Sequence, residues 1–265
     1  MRDLPNFITT VNEIRDRLYK SGSCAKLVHL VISGSDLYGF SSVDSDIDYR
    51  GAFFTHTPIV LGLRITPDSF ITNFTDQEGR LVEVELFEIK KLCGLLIKMN
   101  CNVLEHIFAP PLESTSEFLT LRELTRKMLA KKGTYDSYKG MATFNYKKFI
   151  LTGKKKTVKK YLYVARALMA GIYFLENNTI QPNIVELGKY LKEYNIIDQL
   201  VGAKQDGYEE SFLAADIPEK GIESSLNSLY ERLDTAYTKC NLPELVSSED
   251  YLKLNNFVVK TRKNF

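Results

Sequence analysis

Three features of the sequence predict an α+β fold. Short apolar runs suited to strands crowd the first ninety residues, helical periodicity fills nearly everything after residue 115, and the two kinds of element do not alternate. The first helix is expected over residues 5–20, where Phe7, Val11, Ile14 and Leu18 recur at three- and four-residue steps. A Ser21-Gly22-Ser23 turn leads into AKLVHLVIS, whose length and valines suit a buried strand. A loop rich in glycine, serine and aspartate follows, and residues 46–54 read as a second strand through Ile47, Tyr49 and the Ala52-Phe53-Phe54 run. In the third strand, residues 81–89, Val82, Val84 and Leu86 face one way and Glu83, Glu85 and Phe87 the other. From Lys90 the period turns helical through Leu92, Leu95, Leu96 and Met99, and a short helix over 100–108 ends at Pro110-Pro111. Later helices are expected at 115–131, 135–151, 157–177, 183–197 and 222–238, punctuated at Lys132-Gly133, Leu151-Thr152-Gly153 and Asn177-Asn178. This change of character predicts two domains, an α+β domain over 1–112 and a mostly helical half over 113–265.

Composition excludes several classes of protein. The 265 residues are 44% hydrophobic and 26% charged, unlike a disordered acidic or basic chain. Lys+Arg 35 against Asp+Glu 33 leave a net charge of +2, so any attraction for nucleic acid must come from a local face. No stretch approaches the roughly 18 apolar residues of a membrane span, and MRDLPNFITT lacks the apolar core of a secretory signal. A soluble cytoplasmic protein with no membrane partner is expected. Cys24, Cys93, Cys101 and Cys240 are scattered without a C-x-x-C pair, which argues against structural zinc and a disulfide framework. Walker A and G-x-G-x-x-G sequences are absent, and His29, His56 and His106 sit in neither G-x-S-x-G nor H-E-x-x-H. Chemistry therefore falls to carboxylates, hydroxyls, lysines and arginines.

The informative segment runs from Gly34 to Gly51. Gly34-Ser35 directly follows the first strand, and Asp46 and Asp48, two residues apart entering the next, point to one side. Two such carboxylates repel and raise each other's pKa unless a cation lies between them. Magnesium accepts hard oxygen ligands and keeps positions open for substrate phosphates. The glycine lets the backbone approach a phosphate, and the serine hydroxyl can donate to its oxygens. Asp-x-Asp or Gly-Ser alone is common on exposed strand edges and in turns. Together, with Glu83 on a third strand, they form a much more specific pattern. Tyr38 and Arg50 flank it, a phenol that could stack on a ribose or base and a guanidinium that could bind carboxylate or phosphate.

Gly34-Ser35, a spacer, then Asp46-x-Asp48 resembles the signature of the DNA polymerase β-type nucleotidyltransferases. The fuller string G-S-x-x-Y-G-x-x-S-x-x-S-D-I-D-x-R-G is similar to a narrower group, the RNA-repair-associated polymerase β family of bacteria and their phages. Leu61-Gly62-Leu63, the strand at Glu83 running into Ile89-Lys90-Lys91, and Asn100-x-Asn102-Val103-Leu104-Glu105 extend the likeness over residues 30–108, with a weaker echo at 159–180. The resemblance implies a mixed sheet flanked by helices, a bacterial or phage-infected cytoplasm, and three carboxylates converging on two magnesium ions, with manganese as the alternative. Asp46 and Asp48 carry over as the first two ligands, and Glu83 as the third, with Glu85 as its alternative. Most relatives have aspartate at the Glu83 position. One ion would hold the β- and γ-phosphates of a nucleoside triphosphate, and the second would activate an acceptor hydroxyl against the α-phosphorus, releasing pyrophosphate. Gly34, Ser35, Tyr38, Arg50, Lys147, Lys159 and Arg166 are the expected nucleotide-binding residues. Asp36 and Tyr163 depart from the relatives, which carry a basic or polar residue and a histidine there.

Residues 145–166 gather Lys147, Lys148, Lys154, Lys155, Lys156, Lys159, Lys160 and Arg166 among Tyr146, Tyr161 and Tyr163. These are either a solvated helical face or a surface that neutralises triphosphate or an RNA backbone. Lys159 and Arg166 fall close to one face of their helix. His29 reads as a hydrogen-bonded core histidine, His56 as a loop residue or substrate contact, and His106 as the partner in a structural hydrogen bond. Three functions remain open: nucleotidyl transfer to an RNA or tRNA 3′ end, the same chemistry on a protein or small molecule as in toxin-like relatives, and nucleotide or RNA binding without catalysis.

Overall fold

The computed structural model describes residues 7–22, 24–153, 155–192, 195–207 and 219–265; Ser23, Lys154 and the first two residues of the expected opening helix lie outside the described residues. The strands are β1 (Cys24–Ile32), β2 (Ile47–Thr55), β3 (Ser69–Thr75), β4 (Leu81–Glu88) and β5 (Pro111–Ser114). The earlier helices are α1 (Phe7–Lys20), α2 (Gly34–Tyr38), α3 (Thr57–Leu61), α4 (Ile89–Ile97), α5 (Cys101–Phe108) and α6 (Ser116–Lys127). Then come α7 (Lys131–Asn145), a π-helical turn (Tyr146–Leu151), α8 (Val158–Asn177), α9 (Ile184–Leu191), α10 (Asn195–Gln205), α11 (Glu219–Lys239) and α12 (Ser248–Arg262). The fold is a mixed sheet with flanking helices and a helical carboxy-terminal half, as the sequence predicts. None of the described helices is long and apolar enough to cross a membrane.

The chain forms two compact units, and each is discontinuous. The first comprises 1–34, 46–129 and 246–265, and the second 35–45 and 130–245. A single boundary at residue 112 therefore does not describe the contacts. The reason is local: the loop after β1 packs with the later helices, and the last helix packs against α6 and α4 in the unit that holds the sheet.

In the first unit the sheet order is β3-β4-β2-β1-β5, with β2 and β4 parallel and the other neighbours antiparallel. Val11, Ile14 and Leu18 of α1 pack on Leu27, Leu30, Tyr49, Phe53, Val84 and Leu86, the apolar face of the strands. That alternation leaves Asp48, Arg50, Glu83 and Glu85 on the opposite face. Two strands escape the sequence reading. β3 has no fully buried residue, and Phe70 and Phe74 pack against the core. β5 begins at Pro111, a residue that ends the preceding helix and that a sheet accepts at an edge or a bulge; here the register shifts beside it.

The carboxy-terminal helix is fastened by charge. Arg262 donates to Glu88 in an ion pair with side chains only 13% and 7% exposed. Glu88 also caps α4, accepting from the Lys90 amide at 2.8 Å, while Arg262 donates to the Thr55 carbonyl at 3.3 Å. Phe265 stacks near Phe54, with ring centroids 5.2 Å apart.

In the second unit α8 is buried almost all round, from Val158 through Leu175, so it forms the centre of the helical half. The expected break at Lys132-Gly133 falls inside α7, where Lys132 and Asp136 pair one turn apart and tertiary packing overrides the glycine. The helix expected over 183–197 stops at Leu191, with Lys192 in the left-handed region at φ 56°. The helix expected over 135–151 ends as the π-helical turn.

His29 departs from expectation in a telling way. It is fully buried and stacks on Phe118 at 4.3 Å, yet neither ring nitrogen has a hydrogen-bond partner. Burial drives its pKa down from 6.5 to about 3, so the folded state requires a neutral ring. The unfolded chain takes up a proton below about pH 6.5, so this contribution is complete above that pH and is lost as pH falls toward 3. Between pH 6.5 and 5 the wild-type protein is expected to lose about 2 kcal/mol more stability than His29→Leu. Urea titrations at the two pH values measure this, and equal losses would remove His29 as the cause.

Candidate active site

The acidic face is built by the parallel pairing of β2 and β4. Asp48 stands directly abreast of Glu83, and Arg50 abreast of Glu85. On the other side of β4, Asn73 faces Glu83 and Ile71 faces Glu85. The Asp48 carboxylate leans against Gly34, whose φ of 61° suits glycine; a Cβ there would collide with Asp48 Oδ2. The Ser33 amide donates to the Asp48 carbonyl at 2.8 Å, joining the ends of β1 and β2. Asp46 lies exposed immediately before β2.

Arg50 is the cation of this face. It donates to Asp48 Oδ1 at 2.8 Å, and its Nε lies 3.7 Å from Glu85 Oε2. It also reaches the backbone carbonyl of Glu83 at 3.4 Å. Glu83 is exposed, and its carboxylate makes no hydrogen bond or ion pair among the described residues. Hard carboxylate oxygens on adjacent strands beside a bare glycine suit a divalent cation by donor chemistry. Among the described residues, however, no group of three or more His, Cys, Asp or Glu side chains is gathered to hold a metal ion. His106 bonds to Ser33 Oγ through Nε2 at 2.9 Å, the structural hydrogen bond the sequence suggests.

In the second unit the loop 35–45 is gripped from several helices. Tyr38 and Phe40 are buried, each with its ring edge-on to Tyr163 at 5.9 and 5.5 Å. Arg166 lies 3.8 Å from the centre of the Tyr38 ring and is fully buried. That pair is therefore core, whereas the sequence suggested nucleotide contacts. Gly39 has φ 82°, and a Cβ there would come within 2.6 Å of the Asn183 side chain. Gln205 donates to the Gly39 carbonyl at 2.9 Å, and Lys204, fully buried, donates to Ser42 Oγ at 2.5 Å. The Ser42 hydroxyl in turn lies 2.8 Å from Asp44 Oδ1 and 2.9 Å from Ser45 Oγ. Sequence reading missed Lys204. Its signal was a lysine placed at the helical spacing of the apolar Ile197, Leu200 and Val201. Of the expected lysines, Lys147 is exposed on the π-helical turn and Lys159 is half-buried on α8.

The model of the RNA repair pathway DNA polymerase beta family, RlaP, matches residues 10–260. The chain belongs to this family. This RlaP-family chain carries Gly34-Ser35 at the start of α2 and Asp46-x-Asp48 at the entry to β2. Among curated proteins, the uncharacterized protein YcgL of Bacillus subtilis (strain 168) is 28% identical over 159 residues. That alignment covers 59% of this RlaP-family chain and 59% of YcgL, so it spans under two thirds of the relative's length. Among solved structures, a nucleotidyltransferase-like protein from Exiguobacterium sibiricum 255-15 is similar at 14% identity and a TM-score of 0.32. The similarity covers 81% of this chain and 72% of that one.

Proposed function

We propose that this RlaP-family chain moves a nucleoside monophosphate from a nucleoside triphosphate to an acceptor hydroxyl, an RNA or tRNA 3′ end, with release of pyrophosphate. The observation that carries the reading is the pairing register that sets Glu83 abreast of Asp48, beside Gly34. Asp46, Asp48 and Glu83 are the residues to hold magnesium, or manganese in its place. Bound there, the ion would offset phosphate charge and make an acceptor hydroxyl more acidic. The protein's own contribution is positioning. Gly34 keeps the space beside Asp48 clear, and Arg50 fixes one Asp48 oxygen. Ser35 and its neighbouring amides supply donors for phosphate oxygens. Lys159 and Lys147 supply positive charge, while Arg166 and Tyr38 support the loop from within the second unit.

A second reading, nucleotide or RNA binding without transfer, draws on the Arg50–Asp48 pair and on the absence of a three-ligand cluster among the described residues. Incubating the protein with each labelled nucleoside triphosphate, magnesium or manganese, and pools of cellular RNA and protein separates the readings. Label on RNA is the expected result. Label on protein or a small molecule alone moves the acceptor to the toxin-like class, and bound nucleotide without transfer favours the second reading.

A further inference from the structure

Between Asp136 and Glu176 the chain has no acidic side chain and nine basic ones, although its net charge is only +2. The rest of the molecule is therefore net acidic. Part of this positive charge is matched inside the second unit, where Lys139 pairs with Asp234 and Lys156 with Glu219. Arg166 is buried under Tyr38. Lys147 and Lys148 differ. Both are exposed on the π-helical turn, and neither has a carboxylate partner among the described residues.

Large apolar groups share this surface. Phe144, near the end of α7, is 58% exposed, and Leu151, the last residue of the turn, is 62% exposed. The Lys148 ammonium lies 5.1 Å from the ring centres of both Phe144 and Phe149. An exposed aromatic ring beside a lysine ammonium is an apolar surface left facing water, and single π-helical turns recur at functional sites. The same combination suits an unpaired nucleic-acid strand, whose phosphates meet lysines and whose bases stack on aromatic rings. A duplex matches it less well, because its bases are already stacked.

We propose that the Phe144–Lys147–Lys148 surface docks a single strand of RNA, with one base stacked on Phe144 and two phosphates at the lysines. This rests on the reading of RNA as acceptor and assigns a surface to it. Stacking on Phe144 supplies preference for the single strand, and the lysines supply salt dependence.

The test is fluorescence anisotropy with the full chain and a labelled unstructured RNA of about 16 nucleotides. The same RNA annealed to its complement, and inorganic polyphosphate, serve as competitors. No nucleotide or metal is present. The single strand is expected to bind more tightly than the duplex, and Phe144→Ala to weaken it about tenfold without altering its salt dependence. Phe144→Trp should retain binding. Replacing Lys147 and Lys148 by Gln should lower the slope of log affinity against log salt by about 1.4, the share of two phosphates on a single strand. Equal competition by duplex or polyphosphate together with an unaffected Phe144→Ala would overturn the proposal, as would no binding by the folded wild-type protein. Transfer to RNA with an unchanged KM for RNA in Phe144→Ala would remove this surface but keep the reaction. Single-strand binding through Phe144 without any transfer would keep the surface and remove the reaction.

Discussion

Glu83→Gln is expected to slow nucleotidyl transfer on the order of 10²-fold or more, and Asp48→Asn at least as strongly, while Glu85→Gln slows it only a few-fold. Each change swaps a carboxylate for a neutral amide of the same shape, so what is lost is charge stabilisation at the reacting phosphate. The ranking follows from the register. Glu83 faces Asp48 across β2 and β4 with its carboxylate unengaged, whereas Glu85 faces Arg50 with Oε2 3.7 Å from its guanidinium. Folding should be little affected. The Asp48–Arg50 pair is about one-fifth exposed on each side, and a partly solvated pair contributes on the order of 1 kcal/mol at most. Initial rates of label transfer at saturating nucleotide, with thermal unfolding of each variant, measure the ranking. An inactive Glu85→Gln beside an active Glu83→Gln would give the ligand role to Glu85.

Arg262→Met should destabilise the protein by about 3–5 kcal/mol, the cost of leaving one member of a buried ion pair without its partner. Glu88 would retain the Lys90 and Thr55 amides, at 2.8 and 3.4 Å, but no positive charge. Combining Arg262→Met with Glu88→Gln removes both charges and should recover most of the loss, since Gln can still accept from the Lys90 amide. Denaturant midpoints of the two single variants and the double form a complete cycle. A double variant as unstable as the sum of the singles would mean that the two residues act independently.

Much of the sheet was legible because burial imposes a period of two. Val82, Val84 and Leu86 mark the core face of β4, and the same alternation puts Glu83 and Glu85 opposite. β3 was missed because none of its residues is fully buried, and β5 because Pro111 is a helix terminator in sequence and an edge residue in space. The acids could be found from motif spacing. That Arg50 also meets Glu85 could not, because that contact depends on how β2 registers against β4. The spacing that makes Arg166 a candidate phosphate ligand carries no sign of its burial, yet it lies on the covered side of α8, fully buried beside Tyr38. The interleaving of the two units has no local signal either, since contacts such as Lys204 to Ser42 join residues 162 positions apart.

The pairing of Glu88 with Arg262 also sets an order of events during translation. These residues are 174 positions apart, and a ribosome adding about 5–20 residues each second takes roughly 10–35 s to cover that distance. Through that interval the nascent sheet has made β4 but lacks the guanidinium that balances Glu88, so vectorial synthesis cannot complete the first unit early. A chain arrested before α12 would keep this carboxylate either solvated or unmatched, making it a substrate for chaperones and proteases rather than a smaller stable domain.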